Sequence, residues 1–140
     1  MITYMGDIRK TSHARYSLWY HLVWGTKYRK KIWKDKDTKN RVKEILRATA
    51  LHHDIEIEEI EVLSDHVHMM ASAPPRIAPS RIVQILKSIS TKLLFEEFPW
   101  LKQYYWGGEI WVRGYFARSV GEGLTKAKID RYIKEQSEER

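Results

Sequence analysis

Residues 55–73 form two strands with a joint between them. Ile55, Ile57 and Ile60 alternate with glutamates up to Leu63; Ser64-Asp65 follows, and the chain then continues as His66-Val67-His68-Met69-Met70-Ala71-Ser72-Ala73. Side chains on a strand alternate between faces. A tight turn between two such runs predicts an antiparallel hairpin, which Pro74-Pro75 ends. Val67 and Met69 then point into a core, while His66 and His68 share the opposite, open face.

The rest of the chain falls into place around this hairpin. Residues 16–25 are aromatic and β-branched and predict a central strand. Residues 26–34 form a basic loop. Val42, Ile45, Leu46 and Thr49/Ala50 recur with helical period, so 37–53 is expected to be a helix. His52-His53 lies at its end, where a cationic side chain suits the helix dipole. Ser80 is the expected N-cap of a second helix running to about Phe98, with Ile82, Val83, Leu86, Ile89, Leu93 and Leu94 on its apolar side. Residues 110–120 read as the last strand. Gly121 and Gly123 then precede a final helix capped by Thr125. The expected order is β-α-β-β-α-β-α. This defines an α+β, ferredoxin-like antiparallel sheet with helices on one face and an appended C-terminal helix. A single domain over 1–140 is expected, with a loose segment over about 1–14 and the last helix over about 125–136.

Charge narrows the function. The chain has 25 Lys and Arg against 18 Asp and Glu, a net charge of +7, which suits a polyanion such as nucleic acid. Its 6 Trp and 8 Tyr can stack on unpaired bases or fill a core. The absence of cysteine excludes disulfides and thiolate metal sites, leaving His, Asp, Glu or Gln as ligands. With no signal-like segment and no long apolar run, a cytoplasmic location is expected.

Two motifs carry chemistry. Same-face imidazoles at His66 and His68 can converge on one divalent ion; the plain alternative is two polar residues on a half-buried strand. On the last helix Ile129, Tyr132, Ile133 and Gln136 lie on one arc. Here the alternative is an amphipathic helix whose tyrosine packs inward. Taken together, the motifs suggest a metal, a phenol nucleophile and a neutral oxygen ligand. A cation on a phosphodiester neutralises its charge and polarises phosphorus. Nearby cations favour the phenolate of a group that ionises near pH 10 in water.

These residues resemble the insertion-sequence-200-like single-tyrosine HUH transposases. The resemblance runs from about Tyr16 to Gln136. It is carried by Trp24-Gly25-Thr26-Lys27-Tyr28-Arg29, Asp65-His66-Val67-His68, Ile85-Leu86-Lys87-Ser88, Tyr105-Trp106-Gly107, Trp111, Gly114-Tyr115 and Tyr132-Ile133-Lys134-Glu135-Gln136. It implies that His66, His68 and Gln136 ligate magnesium or manganese, and that Tyr132 attaches to the 5′ phosphate of cleaved single-stranded DNA. It also implies a homodimer with shared active sites that recognises DNA hairpins at element ends.

Lys27, Tyr28, Arg29, Lys30, Lys31, Arg76, Arg81, Lys87, Arg113 and Arg118 are candidate DNA contacts. Trp33 and Trp106 are further candidates for stacking. The aromatic first strand is expected to pair across a two-fold axis. Two other functions fit the same residues: a noncatalytic binder of single-stranded or hairpin DNA, and a metal nuclease that uses water in place of tyrosine.

Overall fold

The computed structural model describes residues 9–11, 13–120, 131 and 133–135. Its elements in chain order are β1 (Arg9–Lys10), β2 (Arg15–Tyr16), β3 (Trp19–Gly25), a 3-10 turn (Lys27–Arg29), α1 (Lys36–Leu51), β4 (Glu56–Val62), β5 (His66–Ser72), α2 (Pro79–Glu97), a second 3-10 turn (Pro99–Gln103) and β6 (Phe116–Ser119). Residues 131 and 133–135 are helical.

Strands β4, β5, β3 and β6 form one sheet in that order, antiparallel throughout. This is the ferredoxin-like arrangement expected from the sequence. The β4–β5 hairpin follows the alternation of its side chains, interrupted by one irregularity between Ile57 and Glu59. Val67, Met69 and Ala71 of β5 join Leu22, Trp24, Ile60 and Val62 in a core completed by Val42, Ile45 and Leu46 of α1 and Ile82, Val83 and Leu86 of α2. The two helices therefore cover one face of the sheet. Among the described residues no helix is long and apolar enough to cross a membrane.

Four details depart from the sequence reading. The first strand does not lie at an edge: β3 pairs with β5 on one side and β6 on the other. Both of its hydrogen-bonding edges are used, so it cannot pair across a two-fold axis. The second helix is capped at Ala78 rather than Ser80, because Pro79 has the fixed φ and missing N–H that suit a first helical position. Within the segment expected to be loose, Arg9–Lys10 pairs with Arg15–Tyr16. Arg9 also forms an ion pair with Glu56.

The last strand is shorter than 110–120. Trp111 makes an isolated bridge to Thr26, and pairing with β3 resumes only at Phe116. The interval is captured by α2. The Lys87 ammonium donates to the carbonyls of Val112 at 2.6 Å, Arg113 at 3.1 Å and Gly114 at 2.9 Å. These carbonyls are directed at the ammonium on α2, and the ladder with β3 is taken up only by residues 116–119.

Candidate metal and DNA site

The site is built on the face of the sheet opposite the helices. His66 and His68 stand there one pleat apart, their ring centroids 4.7 Å apart at 64°. Their cross-strand partners on β3 are Gly25 and Val23. Both histidines are buried, at 6% and 5% exposure, so this face is not open in the sense expected from the alternation. Asp65, the last residue of the turn, receives Nδ1 of His66 on Oδ1 at 2.6 Å. Its other oxygen accepts from the Arg29 guanidinium at 3.3 Å.

This arrangement suits a divalent metal. A carboxylate on one ring nitrogen fixes the tautomer and leaves Nε2 as the lone-pair donor, the usual support for a ligating histidine. Among the described residues no three His, Cys, Asp or Glu side chains are grouped to hold a metal ion. The two imidazoles thus need a donor from elsewhere, and a neutral oxygen such as that of Gln136 has the right chemistry. Tyr132 and Gln136 lie outside the described residues. The residue after Tyr132 is described: Ile133 is buried with Trp19 and Met70, and Val120 packs against them. Met70 points to the same face of β5 as His66 and His68. Lys134, next along, lies 3.9 Å from Glu59 of β4. Ile133 is therefore docked on the histidine face, with Lys134 beside its β4 edge.

One site residue escaped the sequence reading. His21 of β3, in register with Met70 of β5 and Arg118 of β6, stacks on His68 with centroids 5.8 Å apart at 23°. Phe116 meets its ring edge-on. Burial holds the His21 imidazole below its ordinary pKa, and the Arg118 charge adds to that. The only signal in the sequence was a polar residue at alternate spacing from Trp19 and Val23. Its contact with His68 depends on a register between strands far apart in sequence.

The basic candidates are not all in one place. Lys27, Tyr28, Arg29, Lys30 and Lys31 are contiguous, and Arg29 reaches the histidine pair through Asp65. Tyr28 is 72% exposed and stacks on Tyr105 at 6.4 Å. Lys27 lies over the Tyr28 ring and 3.1 Å from Glu109, while Lys30 lies over Tyr104. Arg118 is exposed on β6, as is Arg113 in the loop before it. Arg76 follows the far end of β5, roughly 20 Å of strand from His66, and pairs with Asp54 at 2.7 Å. On α2, Arg81 bonds Gln84 and the Lys87 ammonium is spent on the three carbonyls. Burial lowers the Lys87 pKa. Trp106 is 87% exposed. Trp33 is fully buried and tilts against Trp111, so it is a core residue and not a platform for bases.

The sheet thus carries a supported histidine pair on the face away from its helices, and comparison with known proteins places the chain in a family. The chain belongs to the IS200-like transposases, whose family model matches residues 14–136. It is 37% identical over 135 residues to the transposase for insertion sequence element IS200 of Salmonella typhimurium, covering 96% of this chain and 87% of that one. Over 130 residues it is also 37% identical to the ISDra2 transposase TnpA of Deinococcus radiodurans, covering 93% and 91%. A crystal structure of a Deinococcus radiodurans protein assigned as a transposase superimposes with a TM-score of 0.73 at 38% identity, covering 91% of this chain and 97% of that one. The fold is shared at 11% identity, TM-score 0.55, with a REP-associated tyrosine transposase bound to a REP hairpin, over 89% of this chain and 68% of that one.

Proposed function

We propose that this transposase cleaves and rejoins single-stranded DNA through a covalent 5′-phosphotyrosine at Tyr132. Two imidazoles sharing the sheet face on which Ile133 is docked are the observation that carries this reading. In the cleavage step the Tyr132 Oη bonds to phosphorus as the bond from phosphorus to the 3′ oxygen breaks. The phenol gives up its proton, and the departing oxygen takes one to become a free 3′-hydroxyl. In the joining step a 3′-hydroxyl attacks the phosphotyrosine and the phenol is restored. One phosphoester is exchanged for another each time, so no nucleotide is consumed.

His66, His68 and Gln136 would hold magnesium or manganese. When bound, the metal supplies charge neutralisation on a non-bridging oxygen. Asp65 keeps His66 in the ligating tautomer. Lys27, Tyr28, Arg29, Lys30 and Lys31 at the turn, with Arg113 near it and Arg118 in register with His21 on β3, form the DNA surface nearest the histidines. Arg76, Arg81 and Lys87 would contribute only at a distance. The hairpin bound by the REP-associated relative supports DNA hairpins at element ends as the substrate.

A homodimer with shared active sites accompanies this reading. Among the described residues β6 is paired on one side only, and its four residues are exposed. The other edge, β4, carries Glu56, Glu58, Glu59 and Glu61, and like charges oppose edge-to-edge pairing. A monomeric mass at micromolar concentration in sedimentation would remove the dimer from the proposal.

The deciding experiment uses single-stranded oligonucleotides from the DNA that borders the gene, with magnesium or manganese, on a denaturing gel. The wild-type chain is expected to form a covalent adduct that Tyr132→Phe lacks. An adduct with Tyr132→Phe overturns the assignment, and free 5′ phosphates without any adduct indicate a water-using nuclease.

A further inference from the structure

Arg29 is held in an arrangement that its sequence neighbours do not share. Tyr28 and Arg29 both adopt positive φ, 63° and 53°, a region that non-glycine residues seldom occupy outside sites that require it. The turn is fixed in this shape by three hydrogen bonds: the Thr26 hydroxyl donates to the Lys30 carbonyl at 2.7 Å, the Arg29 N–H to the Thr26 carbonyl at 2.9 Å, and the Tyr105 hydroxyl to the Lys27 carbonyl at 2.8 Å.

The effect is to turn the Arg29 side chain back across β3. It passes over Gly25, where an added Cβ would lie 2.7 Å from Arg29 Cδ. Gly25 is the cross-strand partner of His66. Arg29, His66 and His68 together line a cleft of about 360 Å³, with Gly114 and Tyr115 also among its lining residues. Only one guanidinium nitrogen is engaged among the described residues, on Asp65 Oδ2, and the side chain is 60% exposed. The remaining donors of a guanidinium form a planar fork suited to phosphate oxygens. Lys27 and Lys30 flank the same turn, but neither lines this cleft.

We propose that Arg29 donates to a non-bridging oxygen of the scissile phosphate, the one Tyr132 attacks. This rests on the reading given under Proposed function. Asp65 divides its two oxygens between His66 and Arg29, so one carboxylate sets the ring and the guanidinium side by side. The phosphate would then lie between the ion that His66 and His68 would hold and a guanidinium that carries its own charge. The remaining role for Arg29 is to hold Asp65 alone, and the two roles give different measurements.

The first measurement is adduct formation on a strand the wild-type chain cleaves. Arg29→Ala is expected to slow it about a hundredfold, the usual cost of one charge-stabilising donor. Arg29→Lys should restore part of the rate. The second is manganese affinity by electron paramagnetic resonance, expected to stay within about twofold. The third compares Tyr132→Phe with Tyr132→Phe/Arg29→Ala in binding strands that carry either a phosphate or a neutral methylphosphonate at the cleavage position. The loss caused by Arg29→Ala should be about tenfold on the phosphate strand and vanish on the neutral one. An equal loss on both strands, or a fall in manganese affinity that accounts for the slower rate, overturns the proposal. A wild-type chain that cuts the strand without forming an adduct counts against the tyrosine mechanism, while the binding comparison at the position cut still reports on Arg29.

Discussion

Along β5, Val67, Met69 and Ala71 enter the core under the two helices, while His66, His68, Met70 and Ser72 face the other way. All seven residues are buried, yet burial does different work on the two faces. Under the helices it removes apolar surface from water, at roughly 25 cal/mol per Å². On the histidine face it surrounds polar rings whose value lies in orientation, fixed by Asp65 on one ring and by His21 stacked on the other. A sheet of this kind can separate stability from chemistry by alternation alone. Leu86→Ala gives the largest test of that separation. Leu86 is fully buried in the helix-side core, so the substitution should cost about 2–5 kcal/mol in urea unfolding. Manganese affinity of the folded protein should stay within about twofold. A parallel loss of metal binding would mean that the two faces are coupled.

Asp65→Asn probes the other face and is expected to be smaller. The amide can still accept a hydrogen bond but cannot raise the basicity of His66 as a carboxylate does, and changes of this kind lower metal affinity about 10–100-fold. Unfolding should shift much less than with Leu86→Ala, since no apolar volume is lost. If Asp65→Asn instead destabilises the chain strongly and leaves manganese binding untouched, the turn belongs to the structural side of the comparison.

What the sequence made legible was largely local. Alternation in 55–73 assigned the faces of Val67 and His68, and the 3.6-residue period located both helices near their observed bounds. What it left hidden depended on contacts between distant segments. The last strand starts at Phe116, after an interval whose carbonyls at 112–114 are directed at a lysine on α2. No pattern within 110–120 announces that. The stack of His21 on His68 arises from the β3–β5 register, 47 positions apart in sequence. Asp65 stood beside the histidines from the start, but its bridge to Arg29 requires the turn at 27–29 to fold back over Gly25. The face of His66 and His68 was correctly placed, and its burial was not foreseen, since alternation says nothing of what lies across a face.

The smallest effect belongs to Asp35, at the start of α1 on the helix-covered side. Its Oδ1 accepts from the Thr38 N–H at 2.7 Å and Oδ2 from the Thr38 hydroxyl at 3.0 Å, a cap that satisfies one of the free donors at a helix start. The Thr38 backbone hydrogen bond holds the Asp35 carboxyl below its ordinary pKa, with the hydroxyl adding to it. The folded chain therefore binds this proton less readily than the unfolded chain does. Its contribution is complete above the unfolded value, near pH 4, and is lost as pH falls through the lower folded value. Asp35→Ala should lower the urea midpoint slightly at pH 7, with the gap from wild type closing below about pH 4. Asp35→Asn, which caps without titrating, should keep its midpoint and lose the acid-dependent part. Neither variant should alter manganese affinity at pH 7. If either does, a charge on the helix side is felt at the histidines, and alternation does not isolate the two faces.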